Sequence, residues 1–179
     1  IDIQDFCRQH FHDLGHDGET HDTAYENTQA RARTMILMNK ANMLNALVVG
    51  TGDLSELALG WCTYNGDHMS MYAVNTGVPK TLITFLIEFV AETWAEEGVA
   101  ATLTDILETP ISPELLPPGV GGNISQRTEE VIGPYELHDF FLYQMVRCGF
   151  APEKILFLAK HAFPDTFDEA TIRKWLRVF

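Results

Sequence analysis

Apolar residues at Ile3, Phe6, Cys7, Phe11 and Leu14 recur at close to a helical repeat, and Gly15 can end the helix they predict. A polar loop with one glycine, His16 to Asp22, follows. Thr23 with Glu26 three residues on has the form of a capping box, and Ala24 to Met43 offers good helix formers without Gly or Pro, so a long helix is expected there. Ala46 to Val49 is a short apolar run closed by Gly50-Thr51-Gly52, the pattern of a buried strand entering a tight loop. Asp53 or Ser55 can cap a short helix through Leu59. Trp61 to Val78 lacks sustained periodicity and carries the turn signal Asn65-Gly66, so it reads as a long functional loop.

Pro79 suits a helix start, and the helix it opens is expected to run to about Glu97. Its polar row is Lys80, Thr84, Glu88, Glu92 and Glu96, and its wide apolar face, Leu82 to Trp94, predicts packing on most sides. Pro110 to Gly122 reads as an extended surface segment, and Gly119 to Asn123, which follows Pro117-Pro118 rather than a strand, as a linker. Pro134 to Cys148, Pro152 to Ala162 and Phe167 to Phe179 read as three more helices. Helix, strand, glycine turn, helix is the grammar of an α/β fold with a parallel sheet, here helix-rich and with a helical C-terminal part.

Composition narrows the function. At 179 residues and 46% hydrophobic, the chain is long enough for one domain with a core and short for two. Its formal charge of −13 disfavours a phosphate-tracking nucleic-acid surface. That charge is uneven: residues 1–23 carry −5, residues 24–80 are neutral, and residues 81–179 carry −8, so an anionic ligand is least repelled in the middle third. Cys7, Cys62 and Cys148 are odd in number and widely spaced, which points away from a disulfide framework and towards a reducing cytoplasm. No run approaches the roughly 18 apolar residues of a membrane span.

The densest polar string, Gly50-Thr51-Gly52-Asp53-Leu54-Ser55-Glu56, falls at a strand-to-helix junction. Such junctions offer backbone N–H groups to a phosphate, and a nearby carboxylate can hold Mg²⁺; the ordinary alternative is a turn followed by a helix cap. Asn27 with Arg31, and Gln29 with Arg33, form two polar rows on the long helix, suited either to phosphate contacts or to a solvated face. Trp61, Tyr64, His68 and Tyr72 could stack on a heterocycle or pack a lid. His10, His12, His16 and His21 with Asp13, Asp17 and Asp22 have the residue types of a metal-dependent hydrolase, but only His12 and His16 have ligand spacing, and Gly15 separates them; a solvated loop is the plainer reading.

Four strings go further together. Tyr25 to Arg33 (YENTQARAR), Leu47 to Trp61 (LVVGTGDLSELALGW), Gly66 to Tyr72 with Val74 to Thr81, and Gly133 to Phe141 (GPYELHDFF) closely resemble, in the same order, the synthetase domain of glutamine-dependent NAD⁺ synthetases. The resemblance implies a partial adenine-nucleotide α-hydrolase-like (Rossmann-like) fold over residues 1–179. It also implies a ligation in which ATP adenylates the nicotinate carboxylate of deamido-NAD⁺ and ammonia, drawn from glutamine, displaces AMP. Matched by position, Thr51 is expected at ATP, with Arg31 and Lys80 near phosphates. Asn27, Glu56, Trp61, Cys62, Thr63 and Tyr64 are expected along deamido-NAD⁺, with Glu56 also at Mg²⁺. The family's S-G-G-x-D-S pyrophosphate loop and its glutamine amidase domain have no counterpart string here, so the resemblance implies the later part of a synthetase domain, acting with the remainder of a parent chain in a cytoplasmic homo-oligomer. An assembly or scaffold segment, and the His/Asp hydrolase, stay open as readings from other classes.

Overall fold

The computed structural model describes residues 1–66, 68–109 and 128–179, which fall into two compact units. The first, within residues 1–77, holds α1 (Gln4–Leu14), α2 (Thr23–Leu44), β1 (Val49–Gly50), α3 (Leu54–Leu59) and β2 (Tyr72–Ala73). α1 ends at Gly15, with φ 74°, where the sequence places its stop. α2 begins one residue earlier than its periodicity suggests, and its cap is not Thr23. Asp22 stands at the N-cap and its carboxylate accepts the Tyr25 amide at 2.9 Å.

α2 has no single apolar stripe, for a reason visible in its burial. Thr28, Ala30, Ala32, Thr34 and Ala41 are buried while Arg31 and Arg33 between them are exposed. Small residues on more than one face let different neighbours approach. Ala32 packs with Cys7 and Phe11 of α1, while Ala30 and Thr34 meet the segment after α3. Burial raises the pKa of the Cys7 thiol above its ordinary value.

β1 and β2 pair in parallel, Val49 with Tyr72 and Gly50 with Ala73. Two expectations are corrected here. The apolar run 46–49 contributes only its last residue to a strand, and Leu47 and Val49 are more than half exposed rather than buried. The stretch 61–78 is not loop throughout, because Tyr72–Ala73 supplies the partner strand; a two-residue strand is too short to leave an alternating pattern. Gly50 is required where the strands meet, since a Cβ there would overlap the Ser70 side chain.

The second unit, within residues 78–179, holds α4 (Lys80–Thr93), α5 (Glu97–Glu108), α6 (Thr128–Ile132), α7 (Tyr135–Val146), α8 (Pro152–Ala162) and α9 (Glu169–Val178). The helix expected from Pro79 to Glu97 ends at Thr93. Pro79 is its N-cap, and α5 begins after a short break and packs against α4. Packing of α4 on most sides is also corrected: the helix has no buried residue, and Phe85 and Trp94 are mostly exposed. The segments 110–122 and 119–123 read from sequence lie outside the described residues.

The main core is built by α7, α8 and α9 around Leu137, Phe141, Ile155, Ala159, Ile172 and Trp175. Phe140, Phe150, Phe163, Phe167 and Phe179 wrap it, with edge-to-face pairs such as Phe140 with Phe163 and Phe141 with Phe179. Buried Asp139 of α7 reaches the start of α4, where its carboxylate accepts the Thr81 amide at 2.9 Å and the Thr81 hydroxyl at 2.8 Å. A cap of the first turn, which Pro79 cannot provide with a side chain, is thus supplied from another helix.

Candidate functional site

The glycine turn after β1 leads directly into α3. Asp53 is its N-cap, as the sequence suggests, and forms the capping box that Thr23 and Glu26 do not: its carboxylate accepts the Glu56 amide at 2.9 Å, and the Glu56 carboxylate accepts the Asp53 amide at 3.2 Å. Asp53 and Ser55 are buried, Thr51 is exposed, and Glu56 is half-buried. A Cβ on Gly52 would lie 3.7 Å from Glu56 Oε2 and 3.9 Å from the His68 Cα, so this turn, the Glu56 carboxylate and the His68 backbone border one small space. Both carboxylates at this helix start suit the positive end of the helix, and one of them remains near the surface.

α3 ends at Gly60, and the chain returns along α2. Three side chains one helical face apart on α2 meet it in succession. The Thr63 hydroxyl donates to Asn27 Oδ1 at 3.0 Å, Arg31 Nε donates to the Tyr64 carbonyl at 3.2 Å, and the Thr34 hydroxyl donates to the Gly66 carbonyl at 2.8 Å. Gly66 is buried against the helix; a Cβ there would come within 3.0 Å of Ala30 Cβ and 2.8 Å of the Thr63 side chain. His68 Nδ1 lies 2.8 Å from the Thr63 carbonyl, which can only accept, so that nitrogen carries the proton. The Tyr64 ring is largely exposed and stacks on the His68 ring at 5.6 Å between centroids.

Asn27, Arg31, Thr63 and Tyr64 are therefore brought together, and Thr51, Glu56, Trp61 and Cys62 lie in the same unit. Lys80 lies in the other unit, with its ammonium 5.2 Å from the centroid of the Tyr135 ring. Tyr72 is in β2, paired with Val49. Thr34 was missed by sequence reasoning: a threonine inside a helix gives no signal of reaching a carbonyl 32 residues away.

The histidine-aspartate pattern disperses. His16 uses both ring nitrogens locally: Nδ1 accepts the Gly18 amide at 2.9 Å and Nε2 faces Asp22 at 3.2 Å. Asp17 caps its own turn through the Thr20 hydroxyl and the Thr20 and Glu19 amides, which hold its pKa down at about 2. His21 lies against Tyr25 with the two rings tilted at 43°, and His12 is exposed. Among the described residues no group of three or more His, Cys, Asp or Glu side chains is placed to hold a metal.

A helix and a small parallel sheet joined by a glycine turn to a capped helix, in a helix-rich chain, make this an α/β protein, and its structural neighbours are NAD synthetases of the adenine-nucleotide α-hydrolase-like fold. Solved structures share that fold. A glutamine-dependent NAD⁺ synthetase from Cytophaga hutchinsonii aligns with a TM-score of 0.67 at 16% identity over 98% of this chain and 26% of that one. A glutamine-dependent NAD⁺ synthetase from Acinetobacter baumannii, in complex with ADP, aligns with a TM-score of 0.53 at 25% identity over 98% of this chain and 28% of that one.

Sequence comparison names the family. The NAD synthase model matches residues 1–165, and the chain belongs to that family. The glutamine-dependent NAD⁺ synthetase of Mycobacterium bovis is 45% identical over all of this chain, which spans 29% of the relative's length.

Proposed function

We propose that this chain forms part of an ATP-dependent ligase that converts the nicotinate carboxylate of deamido-NAD⁺ to the amide of NAD⁺. The observation that carries the reading is the match to the NAD synthase family over residues 1–165, together with the α2 clamp that gathers Asn27, Arg31, Thr63 and Tyr64. In the reaction, a carboxylate oxygen attacks the α-phosphorus of ATP and pyrophosphate leaves. Ammonia then attacks the acyl adenylate, AMP departs, and the ammonium formed gives up its proton.

This chemistry asks the protein chiefly to hold two anionic substrates in line and to keep water from the adenylate. Thr51, exposed on the turn, is proposed to donate its hydroxyl to ATP, with Arg31 and Lys80 toward phosphates. Trp61 to Tyr64 line the dinucleotide, the open face of Tyr64 offering a stacking surface, and Asn27 fixes the loop through Thr63 while facing the same ligand. Glu56 suits Mg²⁺, which takes one or two carboxylates plus substrate phosphates rather than a full protein cage. Such an ion supplies charge neutralisation between the phosphates. Phosphate donors from a pyrophosphate loop and ammonia from a glutamine amidase domain belong, in this proposal, to other parts of a longer cytoplasmic, homo-oligomeric protein. Among the described residues no helix is long and apolar enough to cross a membrane.

The test is turnover. The full-length protein carrying this chain should form NAD⁺ from deamido-NAD⁺, ATP, Mg²⁺ and ammonia or glutamine, and the 179-residue chain alone should not exceed a protein-free blank. Full-length protein without this activity contradicts the assignment; turnover by the isolated chain contradicts its division of labour.

A further inference from the structure

We propose that Thr34 is a positioning residue for the dinucleotide, acting only through the loop that it holds. The inference rests on the functional reading above, in which Trp61 to Tyr64 face deamido-NAD⁺. Thr34 is buried, so its side chain is not available to a ligand. Its hydroxyl has one proton and two carbonyls within reach: Ala30, at 3.2 Å, and Gly66, at 2.8 Å. The first is the ordinary local bond of a helical threonine. The second ties α2 to a turn 32 residues further on and is the shorter.

The turn it grips is compact. The Gly66 amide donates to the Thr63 carbonyl at 2.9 Å, the Met69 amide donates to the Gly66 carbonyl at 3.0 Å, and His68 Nδ1 donates to the Thr63 carbonyl. Thr63 and Tyr64 therefore belong to a hydrogen-bonded turn whose seat on α2 is set at one end by Asn27 and Arg31 and at the other by Thr34. Asn27 and Arg31 are partly or wholly exposed, so a substitution there changes ligand contacts and loop position together. Thr34 separates the two. Without its hydroxyl, the loop samples other seats on α2, and the ligand must select the correct one, which weakens binding without altering the chemistry of the bound state.

The experiment is steady-state kinetics of the full-length protein with each substrate varied at saturation of the other. Thr34→Val keeps the branched shape and removes the donor; it should raise KM for deamido-NAD⁺ by about tenfold, leaving KM for ATP and kcat within about twofold. Thr34→Ser, which restores the hydroxyl, should return KM to the wild-type value, a rescue that loss of packing alone would not give. Gly66→Ala pushes the turn off α2 from the other side and should show the same selective rise, which covers the case in which Thr34→Val does not fold. A Thr34→Val protein with unchanged KM, equal effects on both substrates, or no rescue by serine would overturn the inference while the wild type stays active. Wild type that cannot use deamido-NAD⁺ at all removes the reading beneath it instead.

Discussion

Asp53 and Glu56 each accept the other's backbone amide, at 2.9 and 3.2 Å, and so close the first turn of a helix only six residues long. A helix that short has little stability of its own, and the glycine turn before it depends on this pair for its shape. Asp53→Ala should therefore cost about 1 to 2 kcal/mol, at the upper end for an N-cap because the residue is buried. Denaturant unfolding compared with wild type measures it, and a loss below about 0.3 kcal/mol would show that the turn is held by other contacts.

Glu56→Gln separates capping from metal binding. Glutamine keeps a carbonyl oxygen for the Asp53 amide but lacks the charge that favours Mg²⁺. In the full-length protein, pyrophosphate release should fall by about a hundredfold or more with little change in the unfolding midpoint. Near-normal release by the folded variant would remove Glu56 from the metal site.

His138 sets a pH dependence for the helical unit. It is buried among Phe141, Trp175 and Phe179, its Nε2 donates to the Ile132 carbonyl, and its Nδ1 has no hydrogen-bond partner among the described residues. Burial lowers its pKa, the Ile132 carbonyl and the nearby Asp139 and Glu129 charges opposing that shift only in part. A lowered histidine pKa means that the unfolded chain takes up a proton first. Stability from this group is present above the unfolded value, about 6.5, and falls as pH drops below it towards the lower folded value. Carboxylates such as Asp17 and Asp168, whose pKa values are lowered, lose their contribution only in more acid solution. The thermal midpoint of the chain should therefore decline between about pH 7 and 5.5, less so in His138→Gln; equal slopes for the two proteins would contradict this assignment.

Gly133 is a backbone requirement. Its φ is 98°, and a Cβ there would lie 2.5 Å from the Trp175 ring, so Gly133→Ala adds strain to a clash inside the core. A loss of about 2 to 4 kcal/mol in unfolding free energy is expected, with no selective effect on either substrate.

How much of this was legible depends on the range of each interaction. α1, α3, α8 and the Asp53 cap were readable because their signals are local: a glycine stop, an aspartate before an apolar turn, a proline at a helix start. β2 was not, because Tyr72–Ala73 is a strand only through Val49 and Gly50. The break between α4 and α5 was hidden by continuous helix formers from Phe89 to Glu97, with neither Gly nor Pro to mark it. For the site, position-by-position resemblance supplied Asn27, Arg31, Thr63 and Tyr64, whereas the bonds that join them across α2 and the loop, and Thr34 with them, exist only in three dimensions.

The central claim is that the turn after β1 faces ATP while the loop after α3 faces deamido-NAD⁺, and paired substitutions in the full-length protein test it most directly. Tyr64→Ala removes an exposed ring from the loop and should raise KM for deamido-NAD⁺ by about five- to tenfold with little effect on KM for ATP. Thr51→Val, which deletes the hydroxyl and keeps the branched shape, should show the reverse bias. Equal effects of both variants on both substrates would contradict the account.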